Sequence, residues 1–94
     1  MRFYIYAGDA RQASNLARAM DLGRHEWKSV HTVEQLLGQR GGTVLLYGTW
    51  DARPDHEIME VITRAKINMM TVLAVDDRVI HQMMFERTPT SSYT

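Results

Sequence analysis

The chain has 94 residues, no cysteine, and eleven basic residues balanced by eleven acidic ones. That length is one domain near the lower limit for a self-sufficient core, and the missing thiols exclude a disulfide framework, a cysteine zinc site and a thiol nucleophile. Zero net charge lacks the basic stripe that nucleic-acid binding requires, and it removes the repulsion that keeps small proteins apart, so a homodimer is expected. No apolar run approaches the roughly 20 residues of a membrane span. Met1-Arg2-Phe3-Tyr4 enters a strand without a secretory pattern, so a cytoplasmic protein is expected.

Residues 2–8 read as a strand of aromatic and β-branched types. Asp9 then has the look of a helix N-cap, with Gln12 at capping-box spacing. Ala13, Leu16, Ala17 and Met20 follow as one apolar helical stripe, and Gly23 stands where a C-cap is expected. Residues 26–31 alternate loosely and are polar, as an edge strand would be. Thr32 and Gln35 repeat the cap spacing, and Val33, Leu36 and Leu37 give a short helix an apolar face before Gly38, Gly41 and Gly42 break it.

Thr43 to Tyr47 is a continuous apolar run, suited to a strand covered on both faces. Residues 50–54 read as a loop, and Asp55 as the cap of a third helix running to about Asn68. Met69 to Val75 reads as a fourth strand ending at Asp76 and Asp77. Beyond Arg78, Val79, Ile80, Met83 and Met84 fit a short helix or a final edge strand equally well. Residues 88–94 form a polar tail with little to bury, so residues 1–87 are the expected domain.

The order βαβαβαβ implies a parallel sheet. With the polar second strand at an edge and the apolar first and third inside, the spatial order is 2-1-3-4, a small flavodoxin-like or Rossmann-like α/β domain. In such sheets ligands bind outside the carboxyl ends of the strands where the order reverses. That crevice would be lined by Gly8, Asp9 and Arg11 after the first strand, and by Gly48, Trp50, Asp51 and Arg53 after the third.

Each turn carries two readings. Gly8-Asp9-Ala10-Arg11 lacks the further glycines of a dinucleotide-binding turn, and Asp9 puts a carboxylate where a phosphate would bind. Asp9 is therefore a helix cap first and a ligand residue second. In the segment Gly48 to Glu57, Trp50 could stack on a base or a partner side chain. Asp51, Asp55 and Glu57 could hold a sugar hydroxyl or act as nucleophile and base. The plainer reading is a turn with acids placed favourably at a helix start. His25, His31, His56 and His81 lie far apart, so no metal site is expected, and no pattern calls for a cofactor. Of the methionines concentrated late in the chain, Met69 and Met70 suit the core, while Met83 and Met84 could belong to an oligomer face.

The stretch Val44 to Val75 resembles the corresponding part of the nucleoside deoxyribosyltransferase-like superfamily, which includes small phage and bacterial members. The shared features are a strand into a Trp/Asp loop, a helix carrying a glutamate, then Ala65-Lys66 and another strand. The resemblance implies a nucleophilic glutamate acting at a sugar's anomeric carbon, with Glu57 or Glu60 as the match. Ile58-Met59 and Val61-Ile62 stand where that family has small residues around its glutamate.

The leading expectation is a non-enzymatic binding or regulatory module, of the kind phages encode to act on a host component, with a host protein or a small nucleotide-like ligand as its partner. The competing expectation is a nucleotide-handling enzyme acting at an N-glycosidic bond. It would use Glu57 or Glu60 as nucleophile, Asp9 or Asp51 to position the sugar, and Trp50 to stack the base.

Overall fold

The computed structural model describes residues 2–87, with side chains described through residue 82. Four strands form one parallel sheet: β1 (Phe3–Ala7), β2 (Trp27–Ser29), β3 (Thr43–Tyr47) and β4 (Thr71–Ala74). Their spatial order is β2-β1-β3-β4, as the polarity of the second strand predicts. The β1 and β3 registers run from Phe3 opposite Thr43 to Ala7 opposite Tyr47. Among the described residues three α-helices accompany the strands: α1 (Ala10–Ala19), α2 (Asp55–Ile67) and α3 (Asp77–Arg87).

Strand alternation divides the core between the two faces. Ile5, Ala7 and Leu45 pack with Ala13, Leu16 and Ala17 of α1 and with Ile80 of α3. Tyr4, Tyr6, Val44 and Leu46 pack on the opposite face with Val61 and Ala65 of α2. Leu16 is wholly buried, so Leu16→Ala should cost roughly 2–5 kcal/mol. Trp27, on the edge strand, is half-buried against the α1-side cluster.

Helix ends account for most departures from the sequence reading. Asp9 caps α1, its Oδ1 accepting the Gln12 N–H at 2.8 Å. At the other end the left-handed residue is Asp21 (φ 56), not Gly23. The Leu22 N–H donates to Ala17 O and the Asp21 N–H to Arg18 O, the bond pair of a Schellman turn. Aspartate tolerates that conformation better than most residues, so no glycine is needed.

The end of α2 repeats the motif, with Met70 N–H on Ala65 O and Met69 N–H on Lys66 O. Met69 takes the left-handed position (φ 61). It therefore points outward at 68 % exposure instead of joining the core, while Met70 is buried as expected. The cap of α2 is Pro54, and Asp55 is the first helical residue.

The expected helix after Thr32 is only a 3-10 turn, Val33–Leu36. One turn cannot repay the cost of helix nucleation, and the chain is extended by Leu37. Leu36 is buried, but Leu37 is exposed. The segment after Asp76 is a helix, with Asp76 Oδ1 accepting the Val79 N–H at 2.9 Å. The tail expected at residues 88–94 and the side chains of Met83 and Met84 lie outside the described residues.

Candidate functional site

The strand order reverses between β1 and β3, so the switch-point crevice lies between the turns at Gly8 and Gly48. A side chain already occupies it. Gln12, in the first turn of α1, places its Oε1 2.9 Å from the Gly8 nitrogen and 3.0 Å from the Thr49 nitrogen. Its Nε2 lies 3.1 Å from Thr49 Oγ1. The two backbone donors fix the amide's orientation, because an NH2 group in place of Oε1 would confront them both.

Both glycines are required by this arrangement. A Cβ on Gly8 would stand 1.9 Å from Thr49 Oγ1, and one on Gly48 would stand 2.2 Å from Gln12 Oε1. Gly48 is also left-handed, at φ 66.

Behind the crevice, Arg53 binds four neighbours. Its Nε donates to Glu57 Oε1 at 2.5 Å, Nη1 to Ala7 O at 2.9 Å and Nη2 to His31 O at 2.8 Å. Its guanidinium carbon also lies 4.7 Å from the centre of the Tyr6 ring, within cation–π range. The Tyr6 hydroxyl donates to Glu57 Oε1 at 2.7 Å. One arginine thus joins the end of β1, the loop after β2 and the first turn of α2.

Charge and burial set the protonation of this cluster. The Arg53 hydrogen bond, then that of Tyr6, holds the Glu57 carboxyl below the ordinary carboxylate range, against the opposing effect of burial. Burial, reinforced by the Glu57 carboxylate, pushes the Tyr6 phenol up to about 12. Burial alone would lower the Arg53 pKa, but Glu57 outweighs it and raises it.

The other residues named from sequence are spread out. Asp9 and Arg11 are exposed at the start of α1, and Asp9 serves as its cap. Asp51 is exposed in a 3-10 turn, Trp50–Ala52. Trp50 is half-buried and packs on the α2-side core. It also lines, with Tyr47 and Gly48, a cleft of about 400 Å³ whose far wall is residues 74–77. Glu60 lies away from the crevice, in a groove of about 350 Å³ on the outer side of α2 with Val33, Leu37, Met59 and Ile67. The two candidate glutamates therefore belong to different places.

Sequence reasoning named Gln12 only as a helix-cap partner. Its signal as a crevice residue was weak: a glutamine three positions after the cap, facing a second Gly-Thr turn. Among the described residues, no buried side-chain polar atom lacks a hydrogen-bond partner. No group of three or more His, Asp or Glu residues is placed to hold a metal, and no helix is long and apolar enough to cross a membrane, among the described residues.

Fold and site together define a small α/β domain with a four-stranded parallel sheet in order 2-1-3-4 and a switch point closed by its own side chain. Comparison with protein-family models, curated proteins and solved structures gave no match to this chain.

Proposed function

We propose that this protein is a non-enzymatic binding module that meets a partner protein on its outer surface. The observation that carries the reading is Gln12, whose amide oxygen takes the Gly8 and Thr49 N–H donors that a ligand would need at the switch point. The groove on α2 adds support, since Leu37, Met59 and Ile67 are large apolar residues left more than half exposed there. A host protein, as expected for a small phage-type module, is the partner class.

One observation favours the second reading, chemistry at an N-glycosidic bond. The Tyr6 hydroxyl and Arg53 orient the Glu57 carboxylate and keep it ionised, as a nucleophile requires. The two readings separate on incubation with purine and pyrimidine deoxynucleosides and their monophosphates. Free base is followed by chromatography, and the melting temperature is recorded in parallel. The binding-module reading expects no base release and no melting shift. A ligand at 100 times its dissociation constant would add about 2.7 kcal/mol. Base release that disappears in a folded Glu57→Gln variant would replace the first reading with the second.

A further inference from the structure

The outer edge of β4 offers an open backbone ladder. The Thr71 N–H donates to Gly42 O at 3.0 Å and the Val75 N–H to Leu46 O at 2.9 Å, both toward β3. Alternation along the strand then turns the N–H and C=O groups of Val72 and Ala74 outward. Among the described residues no strand pairs with that edge. The opposite edge is guarded differently: β2 is three residues long with a lysine at its centre, a common defence against edge pairing. The sequence of β4, Thr71-Val72-Leu73-Ala74, carries no charge and no proline, and Leu73 is 45 % exposed.

We infer that β4 pairs antiparallel with β4 of a second copy of this chain, joining two four-stranded sheets into one across a two-fold axis. This goes beyond the proposed function, because the occupant is the chain itself.

The register follows from symmetry. An axis perpendicular to the sheet keeps like faces together, so opposed residues must share a face and the axis must pass through a residue position. Centring on Leu73 sets Val72 against Ala74 of the second copy, which pairs every outward backbone group. Leu73 then meets its counterpart at a non-hydrogen-bonded position, where Cα atoms approach to about 4.5 Å. Centring on Val72 would instead set Ala74 against Met70, whose N–H is already given to Ala65 O.

Charge favours the same arrangement. At one end of β4 the Arg40 guanidinium lies 3.4 Å from the Met69 sulfur. At the other end stand Asp76 and Asp77, both exposed. Antiparallel pairing brings each basic end to an acidic end, where Asp76 and Asp77 accept the Val79 N–H and the Tyr47 hydroxyl at the start of α3. Side-by-side parallel pairing would set like charges together.

Light scattering at high micromolar concentration tests the pairing. The expected mass is twice 10.9 kDa. Leu73→Lys should weaken association at least tenfold with an unchanged circular dichroism spectrum. In the unaltered chain, amide exchange at Val72 and Ala74 should slow as concentration rises, while Leu73, aimed at β3, is protected throughout. A monomer mass at high concentration would overturn the inference. So would protection of Val72 and Ala74 in samples dilute enough to give a monomer mass, since a segment of the same chain would then cover the edge. A dimer that survives Leu73→Lys while those two amides exchange freely would overturn it as well.

Discussion

Gln12 holds Thr49 across the switch point, accepting its backbone N–H at 3.0 Å and donating to its hydroxyl at 3.1 Å. The two residues are 37 positions apart in sequence, so the bond ties the start of α1 to the turn after β3. Gln12→Ala removes the acceptor from two backbone donors that water can partly reach. It should cost about 1 kcal/mol in a urea titration. Gly48→Ala should cost more, because a left-handed alanine loses roughly 1–2 kcal/mol and its Cβ strikes the Gln12 amide. The Gly48→Ala and Gln12→Ala pair should then be less harmful than the sum of the two, since truncating Gln12 removes the clash. Strict additivity would mean that the glutamine is not seated in the crevice.

Arg53 should resist even a conservative exchange. Its three nitrogens reach Glu57 Oε1, Ala7 O and His31 O in different directions, a fork that a lysine ammonium cannot reproduce. Arg53→Ala should lose about 3 kcal/mol by denaturant unfolding, because it strips Glu57 of its partner in a pair whose side chains are only 17 % and 24 % exposed. Arg53→Lys, which keeps the charge but loses the fork, should lose at least about 1 kcal/mol. A loss below about 1 kcal/mol for Arg53→Lys would reduce Arg53 to a surface charge.

How much of this was legible in the sequence depends on the range of each interaction. β1, α1, β3 and α2 follow from local apolar periodicity, and the strand order follows from the polarity of Trp27–Ser29 against the apolar runs at Phe3–Ala7 and Thr43–Tyr47. The cap at Asp9 is equally local. The Asp76 cap that makes residues 77–87 a helix was present as an Asp three residues before Val79, but apolar spacing alone suited a strand as well. Gly23 as a cap and Met69 as a core residue were misplaced because a Schellman turn is set by where the helix bonds run out, and Asp21 and Met69 accept a conformation usually given to glycine. The site was the least legible part. Gln12 to Thr49, Arg53 to Ala7 and Tyr6 to Glu57 are side-chain contacts across 37, 46 and 51 positions, which exist only once strand register has brought the turns together.

Stability should fall at both ends of the pH range, for opposite reasons. The Glu57 pKa is lowered by Arg53 and then Tyr6, so its contribution is fully present above the unfolded value of about 4.3 and is lost as pH falls through the folded one. The Tyr6 pKa is raised, chiefly by burial, to about 12. Its contribution is fully present below about 10 and is lost as pH rises toward the folded value. Urea midpoints measured across pH should show both limbs. Glu57→Gln should flatten the acid limb. Tyr6→Phe should reduce the alkaline one, leaving a remainder from Tyr47, whose pKa burial and Asp77 also raise. An acid limb unchanged in Glu57→Gln would contradict the pairing.

Met69 is the clearest case of stability left unrealised. It sits at φ 61 with 68 % of its surface exposed, so little packing would be lost on truncation. Met69→Gly relieves a left-handed strain of roughly 1–2 kcal/mol, offset in part by the greater freedom of glycine in the unfolded chain. A net gain of about 0.5–1 kcal/mol should appear in the thermal midpoint. A loss would mean that the Arg40 contact with the Met69 sulfur outweighs the strain.

The closed crevice is tested most directly at the amide protons of Gly8 and Thr49, observed by nitrogen–proton NMR during titration with deoxynucleosides and their monophosphates. Both protons are committed to Gln12 Oε1. Their resonances should therefore stay fixed as ligand is added, and should move in Gln12→Ala without any ligand. Saturable shifts of the two amides in the unaltered protein would show that a nucleoside or its phosphate displaces the glutamine, and the crevice would be a ligand site after all.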